Sequence, residues 1–237
     1  MTISGFEIIC LDEVDSTNNV ALQLSSGIGG QKKIIQAKRQ TAGRGRRGRI
    51  WHSAEGNLFF SVLLEFPLRQ LGKLIMTAAL SLLETIKQYD PQSDVYLKWP
   101  NDVLLDGAKI SGILLEKGAG EYMIVGIGVN IEHHPSSIDM LYPVTSLKEA
   151  GIQTNAEEFL QKYMSLFVCN IKRSAADLRQ EWLKNARGLG TEIMVKQNGE
   201  ERRGIFQGID ENANLLLRIG DRTQNILAGD VFYIGEK

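Results

Sequence analysis

An α/β fold of the α+β type, with a small all-β unit at its C-terminal end, is what this sequence predicts on three observations. Leu71, Leu74, Ile75, Ala78, Leu82 and Ile86 repeat at helical spacing between strongly apolar, strand-like runs. A second helical pattern (Phe159, Leu160, Tyr163, Met164, Phe167, Val168 and Ile171) comes late in the chain. Beyond Gly188-Leu-Gly190 the composition changes, and the remainder reads as four or five short strands separated by turns. Residues 1–187 are therefore expected to form the larger domain and 188–237 the smaller one.

The elements follow in order along the chain. Phe6 to Leu11 is an apolar run ending in polar residues, and Ser16 or Thr17 is placed to cap a short helix reaching Leu24. Ile34 to Arg39 reads as a strand, 40–56 as a polar loop, and Asn57 to Phe66 as a buried strand. The helix Leu71 to Tyr89 precedes strands at Val95 to Trp99, Asp102 to Leu105 and Lys109 to Glu116. Asp106-Gly107 joins the last two as a hairpin, since a type I′ turn needs positive φ at both central residues. Tyr122 to Ile131 is a strand interrupted by Gly126 and Gly128, and 132–143 reads as loop. Helices from Asn155 and over Ala176 to Ala186 complete the larger unit. In the tail, turns are expected near Asn198-Gly199, Glu211-Asn212 and Gly220-Asp221.

Composition excludes several classes. Lysine and arginine number 27 against 28 acidic residues, for a formal net charge of -1, which argues against a generally basic nucleic-acid binder. Positive charge that matters must then be concentrated locally. Two cysteines, Cys10 and Cys169, make neither a disulfide framework nor a zinc site, and both are expected as core or near-core thiols. No run approaches the ~20 apolar residues that span a bilayer. The first residues lack the basic start and apolar core of a signal peptide, so the cytoplasm is the expected compartment.

The charge is concentrated in Gln40-Thr-Ala-Gly-Arg-Gly-Arg-Arg-Gly-Arg-Ile-Trp51. Arg44, Arg46, Arg47 and Arg49 alternate there with Gly43, Gly45 and Gly48. Guanidinium groups offer planar donor pairs that match phosphate and carboxylate oxygens. Glycine lets backbone approach a ligand and lets a loop change shape. Taken alone, such a run also suits a solvated basic loop, an RNA-binding segment or a linker, but apolar strands on both sides disfavour a tail or linker. Trp51, at its end, is either core or a wall of a site.

Two further segments stand out. In Lys98-Trp-Pro-Asn-Asp102, Lys98 ends one strand and Asn101 and Asp102 begin the next, while Lys109 opens the return strand of the hairpin. Asp102 is placed to help hold Mg²⁺ or to orient a nearby cation. Gly126 and Gly128 mark a bulge or a close approach to the strand, by a packed helix or by a nucleotide. Neither a Walker nor a Rossmann fingerprint is present.

These three segments, in this order and spacing and preceded by Asp15-Ser-Thr-Asn18, resemble the biotin protein ligases over residues 6–187, with the β-rich tail as a further match. The resemblance implies a class II aminoacyl-tRNA synthetase/biotin ligase-like mixed sheet with helices, and an SH3-like C-terminal barrel. It implies ATP and biotin as substrates with Mg²⁺, and a biotin carboxyl carrier protein, of acetyl-CoA carboxylase or another biotin-dependent carboxylase, as partner. Some members carry an N-terminal helix-turn-helix and act as repressors. This chain starts at the first catalytic strand, so no DNA partner is expected, nor a membrane, while a homodimer is an assembly that related enzymes adopt.

Carried over residue by residue, Ser16, Thr17, Asn18 and Gln40 match the biotin pocket. Short hydroxyl and amide groups there suit a ureido ring, which presents N–H donors and a carbonyl acceptor. Gly43, Arg44, Gly45 and Arg46 match the loop that folds over biotin and its adenylate. Lys109 matches the lysine that meets the biotin carboxylate and the reacting phosphate, with Gly112 on the same wall. Arg44, Arg46, Trp51, Lys98, Asn101 and Asn130 fall to the nucleotide, Arg46 and Lys109 to catalysis, and Asp102 to the metal. One departure is local: Asp210-Glu-Asn-Ala-Asn214 stands where the family pattern expects a glycine-containing turn.

Two other readings compete. A lipoate ligase or lipoyl/octanoyl transferase shares the fold, but the transferase needs a catalytic thiol and neither cysteine lies beside a ligand segment. A nucleic-acid-binding module is disfavoured by the near-neutral charge and by arginines with no interleaved aromatics.

Overall fold

Two strands with no exposed face organise the larger sheet of this computed structural model, which describes residues 2–27, 29–135, 142–197 and 199–234. In β4 (Leu58–Glu65) every residue but the last is buried, and in β8 (Tyr122–Val129) all are. They pair antiparallel in mid-sheet. Around them lie β1 (Thr2–Ile3), β2 (Phe6–Val14), β3 (Lys33–Gln40), β5 (Val95–Lys98), β6 (Asp102–Leu105) and β7 (Ala108–Lys117). The order is β1-β2-β3-β4-β8-β7-β6-β5, with β2 and β3 parallel and the other neighbours antiparallel, so the sheet is mixed as expected.

Period-two alternation sorts the strand residues to the two faces. Phe60, Val62 and Leu64 join the main core with α2 (Leu71–Tyr89), α3 (Ala156–Asn170) and α4 (Ala175–Lys184). Leu63, Ile35, Tyr122 and Ile124 form a second cluster with Ala21 of α1 (Thr17–Ser25). The small helix therefore covers the opposite face, and Ser61 of β4 looks toward it.

The tail forms β9 (Glu192–Gln197), β10 (Glu200–Ile209), β11 (Leu215–Ile219), β12 (Arg222–Ile226) and β13 (Asp230–Tyr233), an antiparallel sheet ordered β12-β11-β10-β9-β13. Its apolar residues Ile193, Val195, Phe206, Leu215 and Leu217 belong to the same buried cluster as the larger sheet. Trp99 donates its indole N–H to the Ala213 carbonyl at 2.9 Å, which ties the end of β5 to the turn before β11.

Most expected elements are found within a few residues, and α2 has the expected ends. Asp106 (φ 50°) and Gly107 (φ 79°) both take the left-handed region that the hairpin requires. At the departure from the family pattern, Ala213 adopts φ 61° without being glycine. The Asp210 carboxylate closes that turn by accepting from the backbone N–H groups of Asn212 and Asn214. Asn198 of one expected turn and residues 136–141 of the expected loop lie outside the described residues.

Two expectations are corrected. Cys10 and Cys169 are exposed, not in or near the core. Only Phe6 of β2 is buried, because that strand is flanked by the two-residue β1, and Cys169 falls off the buried stripe of α3. Ser16 occupies the N-cap position of α1 with extended backbone, yet its side chain makes no capping hydrogen bond. Among the described residues, no helix is long and apolar enough to cross a membrane.

Gly72, in the first turn of α2, meets the backbone of the Asp210 turn so closely that a Cβ would lie 2.5 Å from the Asn212 carbonyl carbon. Gly72→Ala is expected to destabilise the protein by about 1–3 kcal/mol, as overpacking does. Urea denaturation monitored by fluorescence checks it, and an unchanged midpoint would contradict the tight docking.

Candidate active site

A cavity of about 350 Å³ opens where the end of β3, the start of α1, the β5–β6 connection and the middle of β7 and β8 meet. Its lining brings together Ser16, Thr17, Asn18, Gln40, Arg44 and Gly45 of the expected site. Arg46, Trp51, Lys98, Asn101, Asp102, Lys109 and Gly112 line it as well. Two expected residues do not. Gly43 packs behind, where a Cβ would stand 2.6 Å from the Trp51 carbonyl. Asn130 lines a small adjoining recess with Trp51 and Lys109, and its side-chain amide donates to the Thr145 carbonyl at 3.0 Å.

One end of the cavity is built from small neutral groups. Gln40 Oε1 accepts from the Thr17 backbone N–H at 2.8 Å, and Gln40 Nε2 donates to Ser53 Oγ at 3.1 Å. Asn18, buried, sits on Gly126, where a Cβ would fall 2.2 Å from Asn18 Oδ1. Gly128 admits the Trp51 ring in the same way, since a Cβ there would fall 2.3 Å from the indole. Both glycines thus mark close approaches, by a residue of α1 and by the indole.

The other end gathers cations. The loop bends at Arg46–Gly48, with Arg47 at φ 56°, and is pinned by Gly45 N–H to the Arg49 carbonyl (2.7 Å) and Trp51 N–H to the Gly43 carbonyl (2.9 Å). Arg44 reaches both carboxylate oxygens of Glu116, at 3.2 and 3.1 Å. Arg47 and Arg49 both pair with Asp230 of β13. Lys109 Nζ lies 2.6 Å from Asp102 Oδ1 and 5.4 Å from the Trp51 ring centre. Asp102 thus forms an ion pair with Lys109 at the cavity wall.

Lys98 is 3% exposed, with its ammonium over the Tyr142 ring. Burial pushes its pKa down to about 7, against the pull of Asp102 and Asp230, with Lys109 and Arg49 adding repulsion. Arg46, whose Nη1 is 3.5 Å from Asn101 Oδ1, is likewise lowered by burial. Asp102 and Asp230 are the carboxylates that line the cavity, and each is engaged by a cation. Among the described residues, no group of three His, Cys, Asp or Glu side chains stands ready for a metal.

Sequence reasoning missed Asp230, Tyr142, Ser61 and Glu116. Glu116 had a signal: Gly112, Leu114 and Glu116 share one face of β7 by alternation. Asp230 had none, being far along the chain from the arginines it meets.

Arrangement and sequence point the same way. Residues 11–132 match the family model described as "Biotin/lipoate A/B protein ligase family", and 188–233 match "Biotin protein ligase C terminal domain". The biotin–[acetyl-CoA-carboxylase] ligase of Paracoccus denitrificans is 36% identical, across 95% of this chain and 100% of that protein. That of Mycobacterium tuberculosis is 29% identical, across 94% and 87%. Among solved structures, the biotin protein ligase of Aquifex aeolicus in complex with biotin and ATP superposes with a TM-score of 0.81 at 31% identity, covering 95% of this chain and 97% of that one. The chain belongs to the biotin/lipoate ligase family, on its biotin protein ligase side.

Stability should carry the mark of Lys98. The folded amine sheds its proton near pH 7, whereas the unfolded chain keeps it until about the ordinary 10.5. Between those values the unfolded state binds more protons, so this lysine makes stability rise with pH across that window and adds no slope below it. Lys98→Met should flatten the rise, as read by denaturation midpoints from pH 6 to 9.5. Parallel profiles for the two proteins would contradict the buried, proton-poor amine.

Proposed function

We propose that this protein activates biotin with ATP to biotinyl-5′-AMP and transfers the biotinyl group to a lysine of a biotin carboxyl carrier protein. The observation that carries the proposal is the pairing, in one cavity, of a neutral hydroxyl and amide end with an end where Arg44, Arg46, Lys98 and Lys109 converge. Two anions, a carboxylate and a triphosphate, must meet for the first step, and their repulsion is what such cations offset.

In that step a biotin carboxylate oxygen bonds to the α-phosphorus as the bond to the pyrophosphate oxygen breaks. Lys109 bridges carboxylate and α-phosphate, Arg46 and Arg44 meet the phosphoryl oxygens, and Lys98 with Asn101 faces the polyphosphate. Such displacement depends on positioning and electrostatics and needs no side-chain nucleophile. Ser16, Thr17, Asn18 and Gln40 hold the ureido ring, Gly112 lines the wall beside it, and Trp51 and Asn130 bound the nucleotide. Mg²⁺ would accompany ATP and offset charge on its phosphates, being usually held by substrate phosphates and one or two carboxylates. Asp102, a carboxylate of the cavity lining, would be the residue to help hold it.

In the second step the acceptor lysine nitrogen bonds to the acyl carbon, the acyl–phosphate bond breaks, AMP leaves and the amine loses a proton. Until then the 43–49 loop excludes water from the mixed anhydride. The names of the relatives support acetyl-CoA carboxylase as the source of the acceptor, and the reading includes cytoplasmic action, a homodimer, and a catalytic unit ending at 187.

Pyrophosphate release from MgATP should require biotin and should not be supported by lipoate. Release with lipoate alone would move the substrate assignment to the other side of the family. Arg46→Ala should cost about 2–4 kcal/mol of transition-state stabilisation, by analogy with removal of a preorganised donor. Single-turnover adenylation measures this, and an unchanged rate would remove Arg46 from the chemistry.

A further inference from the structure

Glu116 lies just outside the cavity lining, yet a continuous chain of hydrogen bonds joins it to the neutral end. Asn18 Nδ2 donates to Glu116 Oε2 at 2.6 Å, with the Leu114 carbonyl as a second, longer partner at 3.5 Å. Asn18 Oδ1 lies 2.6 Å from Ser61 Oγ, which lies 2.8 Å from Thr17 Oγ1. Thr17 Oγ1 is in turn 3.2 Å from Gln40 Oε1.

Proton counting gives this chain a direction. A carboxylate and a carbonyl can only accept, so the Asn18 amide must turn its NH₂ toward Glu116 and Leu114 and its oxygen toward Ser61. That oxygen can only accept, so the single Ser61 proton goes to Asn18. Ser61 Oγ and Gln40 Oε1 are then the two acceptors open to the Thr17 proton, and either one consumes it. Thr17 is left presenting lone pairs to the cavity. With Asn18 reversed, Ser61 would instead donate to Thr17 and fill one of those lone pairs.

We propose that Glu116 is a positioning residue that sets the hydrogen-bond polarity of this pocket, so that it accepts a ligand head carrying N–H donors. The inference rests on the biotin reading above and deepens it, because a cyclic urea has such donors and a dithiolane has none. A buried hydroxyl turned the wrong way would leave a ligand N–H unpaired, which is where discrimination between close analogues arises. The same carboxylate holds Arg44, so the pocket and the root of the arginine loop share one anchor.

The test is titration calorimetry of the full chain with biotin and with biotin methylated on a ureido nitrogen, for wild type, Glu116→Gln and Ser61→Ala. Glutamine keeps the volume at a half-exposed position but can turn a donor toward Asn18. Glu116→Gln is expected to weaken biotin by on the order of tenfold, and Ser61→Ala far less because Gln40 Oε1 still takes the Thr17 proton. The affinity for the methylated analogue, measured by competition, should change little in either. The biotin KM should rise with little change in the ATP KM. Unchanged biotin affinity in Glu116→Gln, or an equal loss for both ligands, would overturn the role of Glu116. If wild type itself binds no biotin, the functional reading fails first, so the two failures are distinguishable.

Discussion

Like charges crowded into one cavity repel, and much of this structure exists to hold them there. Arg44, Arg46, Arg49, Lys98 and Lys109 all line a space of about 350 Å³ in a chain whose net charge is -1. Two unit charges 4 Å apart interact by about 4 kcal/mol at the effective dielectric of a protein surface. Four of the five are answered individually, while Arg46 is buried beside Asn101. Glu116 takes Arg44, Asp102 takes Lys109, Asp230 takes Arg49 together with Arg47, and Lys98 is held where losing its proton is easy. The counter-charges come from β6, β7 and β13, so the terminal sheet takes part in assembling the site. A polyanion entering this cavity would exchange partners with these carboxylates and would meet no bare field.

The neutral end obeys a different constraint. Asn18 and Trp51 must press onto the sheet, and the sheet has to make room. Gly126 and Gly128 supply that room on β8, and a side chain at either would collide with the residue above it. Glycine in a central strand costs stability. Here the cost falls on the best-buried strand of the sheet, where flanking contacts on β4 and β7 are best placed to absorb it.

What the sequence made legible divides along the same line. Local devices could be read: the helical period of Leu71 to Tyr89, the Asp106-Gly107 hairpin, and an arginine-glycine run suited to closing on a polyanion. The residues lining the cavity came mostly from motifs, where short-range spacing and chemistry travel together. Counter-charges were not legible, because Asp230 meets Arg47 and Arg49 only after the chain has folded. Gly43 lies behind the cavity wall and Asn130 in the recess beside it, since a motif tells which residues occur together but not which faces inward. Cys10 misled for a related reason. An apolar run predicts burial only if its strand has neighbours, and the strand beside β2 is two residues long.

The two ends of the cavity also differ in how they discriminate. Charge is strong but nearly directionless, so the cationic end would accept many phosphates. Hydroxyls and amides are weaker but directional, so the neutral end selects by which atoms carry protons. β7 connects them, carrying Lys109 toward the cations, Gly112 beside the Trp51 ring and Glu116 behind Asn18. A strand is stiff and rises about 3.4 Å per residue, so these residues keep a fixed separation. A ligand seated by its polar head is thereby presented with its other end at a set distance from Lys109. The choice of molecule and the site of reaction are coupled through the geometry of a single strand.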